Sequence, residues 1–136
     1  MSAMSDYLEG QLRAHLFRTA SFTKPTTLAV ALFTAAPSDA GGGTEVTGGR
    51  YARVSVNPLD ANWTAASSTD GVTTNASAIT FAAPTANWGT VTHFAIYDAT
   101  SAGNLLVWGA LTASRVISNG DAAPSFAAGA LAITFA

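Results

Sequence analysis

The sequence has no cysteine. A disulfide framework and a thiolate metal site are therefore both excluded, and the chain can persist in either redox environment. Charge is scarce as well. Only 10% of residues are Asp, Glu, Lys or Arg, against about a quarter in an ordinary soluble domain, while 49% are hydrophobic. There is no basic surplus: the net charge is −2, and Arg13, Arg18, Lys24, Arg50, Arg53 and Arg115 are scattered. Nothing here neutralises a run of phosphates, so nucleic acid is not an expected partner. No apolar run approaches the roughly 20 residues needed to cross a bilayer as a helix, so no membrane is expected. The first residues, Met1-Ser2-Ala3-Met4-Ser5-Asp6, lack the basic and apolar regions of a signal peptide, so the expected route is synthesis in the cytosol without ordinary export. A surface this poor in charge suits a subunit packed against neighbours. A secreted, Ser/Thr-rich β protein is the alternative.

The 136 residues have room for one domain, expected to span 1–136. Residues 4–18 read as a helix. Met4, Leu8, Leu12 and Leu16 recur at i, i+4, with Tyr7 and Phe17 beside them. Asp6 and Glu9 have the spacing of a capping box, and Arg13, His15 and Arg18 fall in the later turns, where positive charge suits the helix dipole. This stripe either covers a β core or docks on a partner subunit.

From Thr27 the apolar period changes from 3.6 to 2. Leu28, Val30 and Leu32 alternate with Ala29, Ala31 and Phe33, which predicts a strand buried on both faces. A long loop over 36–50 follows, holding Gly41, Gly42, Gly43, Gly48 and Gly49, and is expected to be flexible and ordered by a partner. Tyr51–Val56 is predicted as a strand with Ala52, Val54 and Val56 on one face. Asp60–Gly71 is polar, anchored by Trp63. Short strands are predicted near Thr73 and over Ala78–Phe81. Val91–Tyr97 and Leu105–Thr112 read as a β-hairpin, with Phe94 and Ile96 on one face of the first strand and Leu106, Trp108 and Ala110 on one face of the second. Asn119-Gly120 and Pro124 suggest a loose connection to Leu131, Ile133 and Phe135. The set amounts to about seven or eight short strands. The expected fold is mainly β: a single antiparallel, jelly-roll-like β-sandwich over 27–136 with a short N-terminal α-helix.

No catalytic constellation emerges. The glycine-rich loop runs from Gly48-Gly49 into Arg50-Tyr51 and a strand, where a phosphate-binding loop needs Lys-Ser/Thr and a helix. His15 and His93 have no carboxylates at zinc-ligand spacing, and the acids show no calcium-loop pattern. His93 shares a strand face with Tyr97, so a hydrogen bond between side chains accounts for it. A pair of carboxylates across a sugar cleft is not indicated, and no nucleophile elbow occurs. The expectation is therefore no enzyme, no cofactor and no metal. Asn62-Trp63-Thr64 and Asn75-Ala76-Ser77 match the glycosylation pattern as chance occurrences.

Several stretches carry a family likeness. Ser5-Asp6-Tyr7-Leu8-Glu9 with Thr26–Thr34, the loop Pro37–Gly41 with Gly43–Val46 and Gly48–Arg53, then Trp88–Asp98 and Gly103–Gly109 together resemble small bacteriophage proteins labelled tail-fibre-like. Asp60–Thr74 is the least similar part. The resemblance implies a non-enzymatic virion structural protein on the particle exterior, located in the virion as a tail-fibre-like or capsid-decorating (cement) subunit. It further implies a chain that packs as a homo-oligomer, expected to be a trimer, against other virion proteins. Without coiled-coil heptads or β-helix repeats the chain is not itself a fibre shaft. Interface candidates are Met4, Tyr7, Leu8, Leu12 and Leu16 on the helix and Gly42, Glu45 and Val46 in the loop. An alternative is a module binding a receptor or host-surface glycan, with Trp63, Trp88 or Tyr51 as stacking platforms.

Overall fold

The computed structural model describes residues 2–65 and 69–135. Residues 66–68 of the expected Asp60–Gly71 loop, and positions 1 and 136 of the expected domain, lie outside the described residues. The chain opens on a short strand, β1 (Ser2–Met4), followed at once by the helix α1 (Asp6–Phe17). Then come β2 (Ala29–Ala35), β3 (Thr44–Glu45), β4 (Val54–Ser55), β5 (Val72–Thr74), β6 (Ile79–Thr80), β7 (Gly89–Tyr97), β8 (Leu105–Ile117), β9 (Ser125–Phe126) and β10 (Ala132–Thr134). The mainly β, antiparallel character with one short helix matches the sequence reading. The layering is less regular than a continuous sandwich. One sheet has the order β1-β8-β7-β2-β3, with β4 also pairing β2, and beside it stand two separate two-stranded ribbons, β5–β10 and β6–β9. The ribbon strands stay short because Gly71, Asn75, Pro124 and Gly129 interrupt them, and glycine, proline and asparagine are poor strand formers.

β2 is an interior strand, paired with β7 on one side and with β3 and β4 on the other, and its alternation explains why it is buried. Val30 and Leu32 join the main core with Phe94 and Ile96 of β7, Val107 of β8, and Ile79, Phe81, Leu131 and Ile133 from the ribbon side. Ala31 and Phe33 point the other way, into a smaller cluster with Ala95 and Leu105, against which Tyr97 and Trp108 pack. Residues 29–33 are all at most 3% exposed, so the strand is buried on both faces.

The β7–β8 hairpin forms, but it is longer and less regular than the alternation predicted. Ile96 pairs with Val107 and Tyr97 with Leu105, leaving Leu106 as an extra residue. The bulge sends Leu106 and Val107 to the same core and turns Trp108 to the opposite face, beside Ala95 and 6.1 Å from the His93 ring. The expectation that Leu106, Trp108 and Ala110 share a face is corrected by that one inserted residue. A second irregularity lies between the pairs Val91–Arg115 and His93–Ala110, and beyond it β8 runs on through Val116 to Ile117.

The helix starts one residue earlier in its capping logic than Asp6 and Glu9 suggested. Ser5 is the N-cap: its Oγ accepts from the Leu8 N–H at 3.2 Å and donates to the Leu105 carbonyl, and its own N–H donates to Leu106 O at 2.8 Å. Met4 lies before the cap, in β1 opposite Val107, not on the helix. Ser5 is 1% exposed, so its hydroxyl both ends the helix and joins it to the sheet. Replacing Ser5 with alanine is expected to cost about 2 kcal/mol, the upper end for an N-cap, because a buried carbonyl also loses its donor; a urea denaturation midpoint checks this. At the other end, the His15 Nδ1 accepts from the Phe22 N–H at 3.1 Å, turning the chain back toward β2.

Candidate functional site

The glycine-rich loop leads into a polar cluster that the sequence did not reveal. β3 pairs with β2, which places the Glu45 carboxylate beside the edge of the sheet. Arg53 meets it in a fork: Nε donates to Oε1 at 2.8 Å and Nη2 to Oε2 at 2.7 Å. The Tyr51 hydroxyl donates to Oε1 at 2.9 Å and accepts from the Leu32 N–H at 2.9 Å. Arg53 Nη1 also donates to the carbonyls of Ala99 at 3.2 Å and Ala102 at 2.7 Å, and its guanidinium carbon lies 3.7 Å over the Tyr97 ring. One arginine thus ties together β3, the start of β4 and the 98–104 turn of the hairpin.

Elsewhere the loop is equally held. Asp39 accepts from Trp108 Nε1 at 2.9 Å through its side chain and from the Asp6 N–H through its backbone. Ser38 and Gly41 exchange backbone hydrogen bonds, Val46 N–H donates to Leu32 O, and Trp88 Nε1 donates to Gly49 O at 3.0 Å. The glycines make this path possible. Gly43 has φ +75°, and a Cβ there would lie 2.7–2.9 Å from the backbone of residues 35–37. The expected flexible excursion is instead a loop fixed at many points.

This environment raises the ionisation of Tyr51 well above the ordinary tyrosine range, chiefly by burial, with the neighbouring Glu45 acting in the same direction. Burial pushes Tyr97 upward too, against the opposing pull of Arg53. Hydrogen bonding to Glu45 raises Arg53 further. For both tyrosines the folded state keeps a proton that the unfolded chain surrenders. Their contribution is fully present below about pH 10, the ordinary tyrosine value, and is lost as pH rises above it. The urea midpoint is therefore expected to fall steeply from about pH 10 upward, and Tyr51→Phe is expected to flatten that fall.

The second feature is an apolar groove of about 850 Å³. Leu8 at the foot of α1, Leu28, and Ile96 and Leu106 of the hairpin form its floor; Pro58, Leu59 and Trp63 form one wall, and Ile133 and Phe135 another. Asp60 is the one charged residue in its lining among the described residues. Trp63 is half-buried, with Nε1 donating to Val56 O at 3.2 Å. Leu59 and Phe135 remain 59% and 48% exposed at the rim.

The structure distributes the sequence-based site residues unevenly. Leu8 and Val46 are buried, and Met4 and Leu12 are half-buried against the core. Glu45 is engaged by Arg53 and Tyr51. Tyr7, Leu16 and Gly42 reach solvent. Of the three stacking candidates, Trp88 is buried and offers no ring face, and Tyr51 is enclosed edge-on by Trp88 and stacked near Phe81. Those two are corrected from platforms to core anchors. Only Trp63 faces a cavity. His93 bonds the neighbouring Thr92 hydroxyl at 2.7 Å rather than Tyr97. Asn75, in one glycosylation match, is 1% exposed and cannot serve as an acceptor site in this fold. Among the described residues no three His, Asp or Glu side chains converge as metal ligands, and no helix is long and apolar enough to cross a membrane.

The family described as podophage GP4 fiber I protein gp80 matches residues 3–134, from β1 through the last ribbon strand. The chain belongs to this family. The match spans the helix, the glycine-rich loop, the Glu45–Arg53 cluster and the groove, so all of these are features of a phage fibre family member. No curated protein matches the chain. Membership in a fibre family points to the virion, to a structural role and to association with other virion proteins. The tail-fibre-like resemblance read from Ser5–Glu9, the glycine loop and the hairpin agrees with it.

Proposed function

We propose that this chain is a non-enzymatic structural subunit on the exterior of a phage particle, a single domain over 1–136 that works by packing as a homo-oligomer, a trimer, against other virion proteins. The observation that carries the reading is the fibre-family match over nearly the whole chain. Low charge supports it, as does the exposed apolar surface at Leu16, Phe17, Leu59 and Phe135, which is costly to leave in water. In this reading the two ribbons act as the second layer of a sandwich, and the locked loop gives a rigid surface, since a subunit that must repeat identically gains from having its contacts pre-set. Tail-fibre attachment is favoured over capsid decoration because the family is a fibre family. The glycan-binding alternative retains Trp63 alone, in a groove whose lining is mostly apolar.

Light scattering on the purified full chain is expected to give the mass of three copies, and whole-particle density maps are expected to place it on the exterior near the tail. A chain that stays monomeric at high concentration and never co-sediments with particles overturns the proposal.

A further inference from the structure

Beyond Leu12 the helix leaves the body. Leu8 is buried and Leu12 half-buried, but residues 15–21 are all exposed, with Leu16 at 70% and Phe17 at 82%. Two large apolar side chains at a helix end, with little covering them, are unusual on a stable monomer surface. Arg13 and Arg18 flank them and are also exposed.

The groove has the opposite character. Its floor and walls are apolar, its volume is of the size that encloses a small ligand, and the charge in its lining is the carboxylate of Asp60. The helix end is thus apolar with cationic flanks, and the groove is mostly apolar with the exposed Asp60 carboxylate in its lining.

The helix cannot fill the groove of its own copy. Leu8 already lies in the groove floor, and Leu16 is two turns further on, about 12 Å along the axis. Bringing Leu16 back would require unwinding the helix whose start Ser5 caps.

We propose that the helix end of one copy, Leu16 and Phe17 between Arg13 and Arg18, seats in the apolar groove of a second copy beside Asp60. The partner is another copy of this chain, chosen because one sequence carries both complementary surfaces in equal number. Knob and groove are different surfaces, so the contact is heterologous, and in this proposal three copies repeat it head to tail to close a ring. That geometry deepens the trimer reading and rests on it.

The test is light scattering and sedimentation on three full-length proteins: the natural chain, Phe17→Asp and Leu59→Asp. Both altered positions are more than half exposed, so folding is expected to survive, with melting temperature as the check. Each substitution is expected to weaken self-association by about 30-fold or more, the loss seen at an interface anchor. An equal mixture of the two is expected to form one-to-one dimers and nothing larger, because one intact helix end meets one intact groove. If the natural chain associates and neither substitution weakens it, this contact is overturned while the oligomeric subunit stands. If Phe17→Asp dissociates the assembly but the mixture gives no dimer, the helix end seats elsewhere and the groove assignment is overturned. A monomeric natural chain overturns both readings.

Discussion

Replacing Asn75 with alanine is expected to destabilise the fold by about 3–5 kcal/mol, the largest effect of any single side chain outside the aliphatic core. Asn75 is 1% exposed. Its Nδ2 donates to the carbonyls of Ser77 at 2.8 Å and Ala127 at 2.9 Å, and its Oδ1 accepts from the Leu131 N–H at 2.9 Å. The amide therefore joins the turn after β5 to the segment between β9 and β10. Leu131, at 1% exposed, is held in the core by that segment. Alanine would leave the buried Leu131 N–H unsatisfied, at about 1–3 kcal/mol, and would remove the part-buried bonds to the Ser77 and Ala127 carbonyls, at about 1 kcal/mol each. Asn75→Asp is expected to be no better, since a carboxylate keeps the acceptor but cannot donate and brings a charge into the core. Asn104→Ala is the comparison. Its amide bonds Asp98 at 2.8 Å in the exposed hairpin turn, and its loss is expected to cost about 0.5–1 kcal/mol. Urea midpoints of the three variants check this. Equal losses for Asn75→Ala and Asn104→Ala would show that water takes over the buried bonds.

Arg53→Ala is expected to cost about 3 kcal/mol and to loosen the glycine-rich loop without unfolding the sheet. The Arg53 side chain is 9% exposed and that of Glu45 24%. Removing the guanidinium strips Glu45 of its fork and takes the donor from Ala99 O and Ala102 O. The cost follows from leaving a mostly buried carboxylate without its counter-charge, with only the Tyr51 hydroxyl still donating to it, rather than from the ion pair being strongly stabilising in itself. Lysine is a poor substitute, because it cannot bond both carboxylate oxygens while lying flat on the Tyr97 ring. In a double-mutant cycle with Glu45→Gln the coupling is expected to be about 1–2 kcal/mol, held down by the water that still reaches Glu45. Limited proteolysis is expected to show the functional side: cleavage within 38–50 becomes fast in Arg53→Ala and stays slow in the natural chain. Unchanged protection would mean that Asp39, Ser38 and Gly43 hold the loop without the arginine.

Both predictions concern residues whose importance is invisible along the chain. Asn75 reads as one polar residue in a Ser/Thr-rich stretch, and its partners lie 52 and 56 positions away. Glu45 and Arg53 are close in sequence, but the carbonyls and the ring that complete their cluster come from residues 97–102. Similarly, the groove draws on residues from Leu8 to Phe135. No periodicity or spacing rule marks such a set.

What the sequence determined by itself was local. The alternation of Leu28 to Phe33 specifies a strand buried on both faces, because every side chain there is apolar and neither face tolerates water. The turn residues from Asp98 to Asn104 specify the hairpin, and the apolar spacing from Leu8 to Leu12 specifies a helix with a covered face. The absence of cysteine excludes a disulfide scaffold, and the six Lys and Arg residues form no basic run along the chain. Tertiary structure decided the rest. A single extra residue at Leu106 turned Trp108 to the other face. Burial of Trp88 and the packing of half-buried Tyr51 against it and Phe81 converted two candidate platforms into core anchors. The start of the helix at Ser5 moved Met4 into a strand. Past Leu12, the same i, i+4 spacing that covers Leu8 runs off the body and exposes Leu16. The physical reason is common to all four. Periodicity records which way a side chain points relative to its own backbone, while register, bulges and element length decide what stands opposite it.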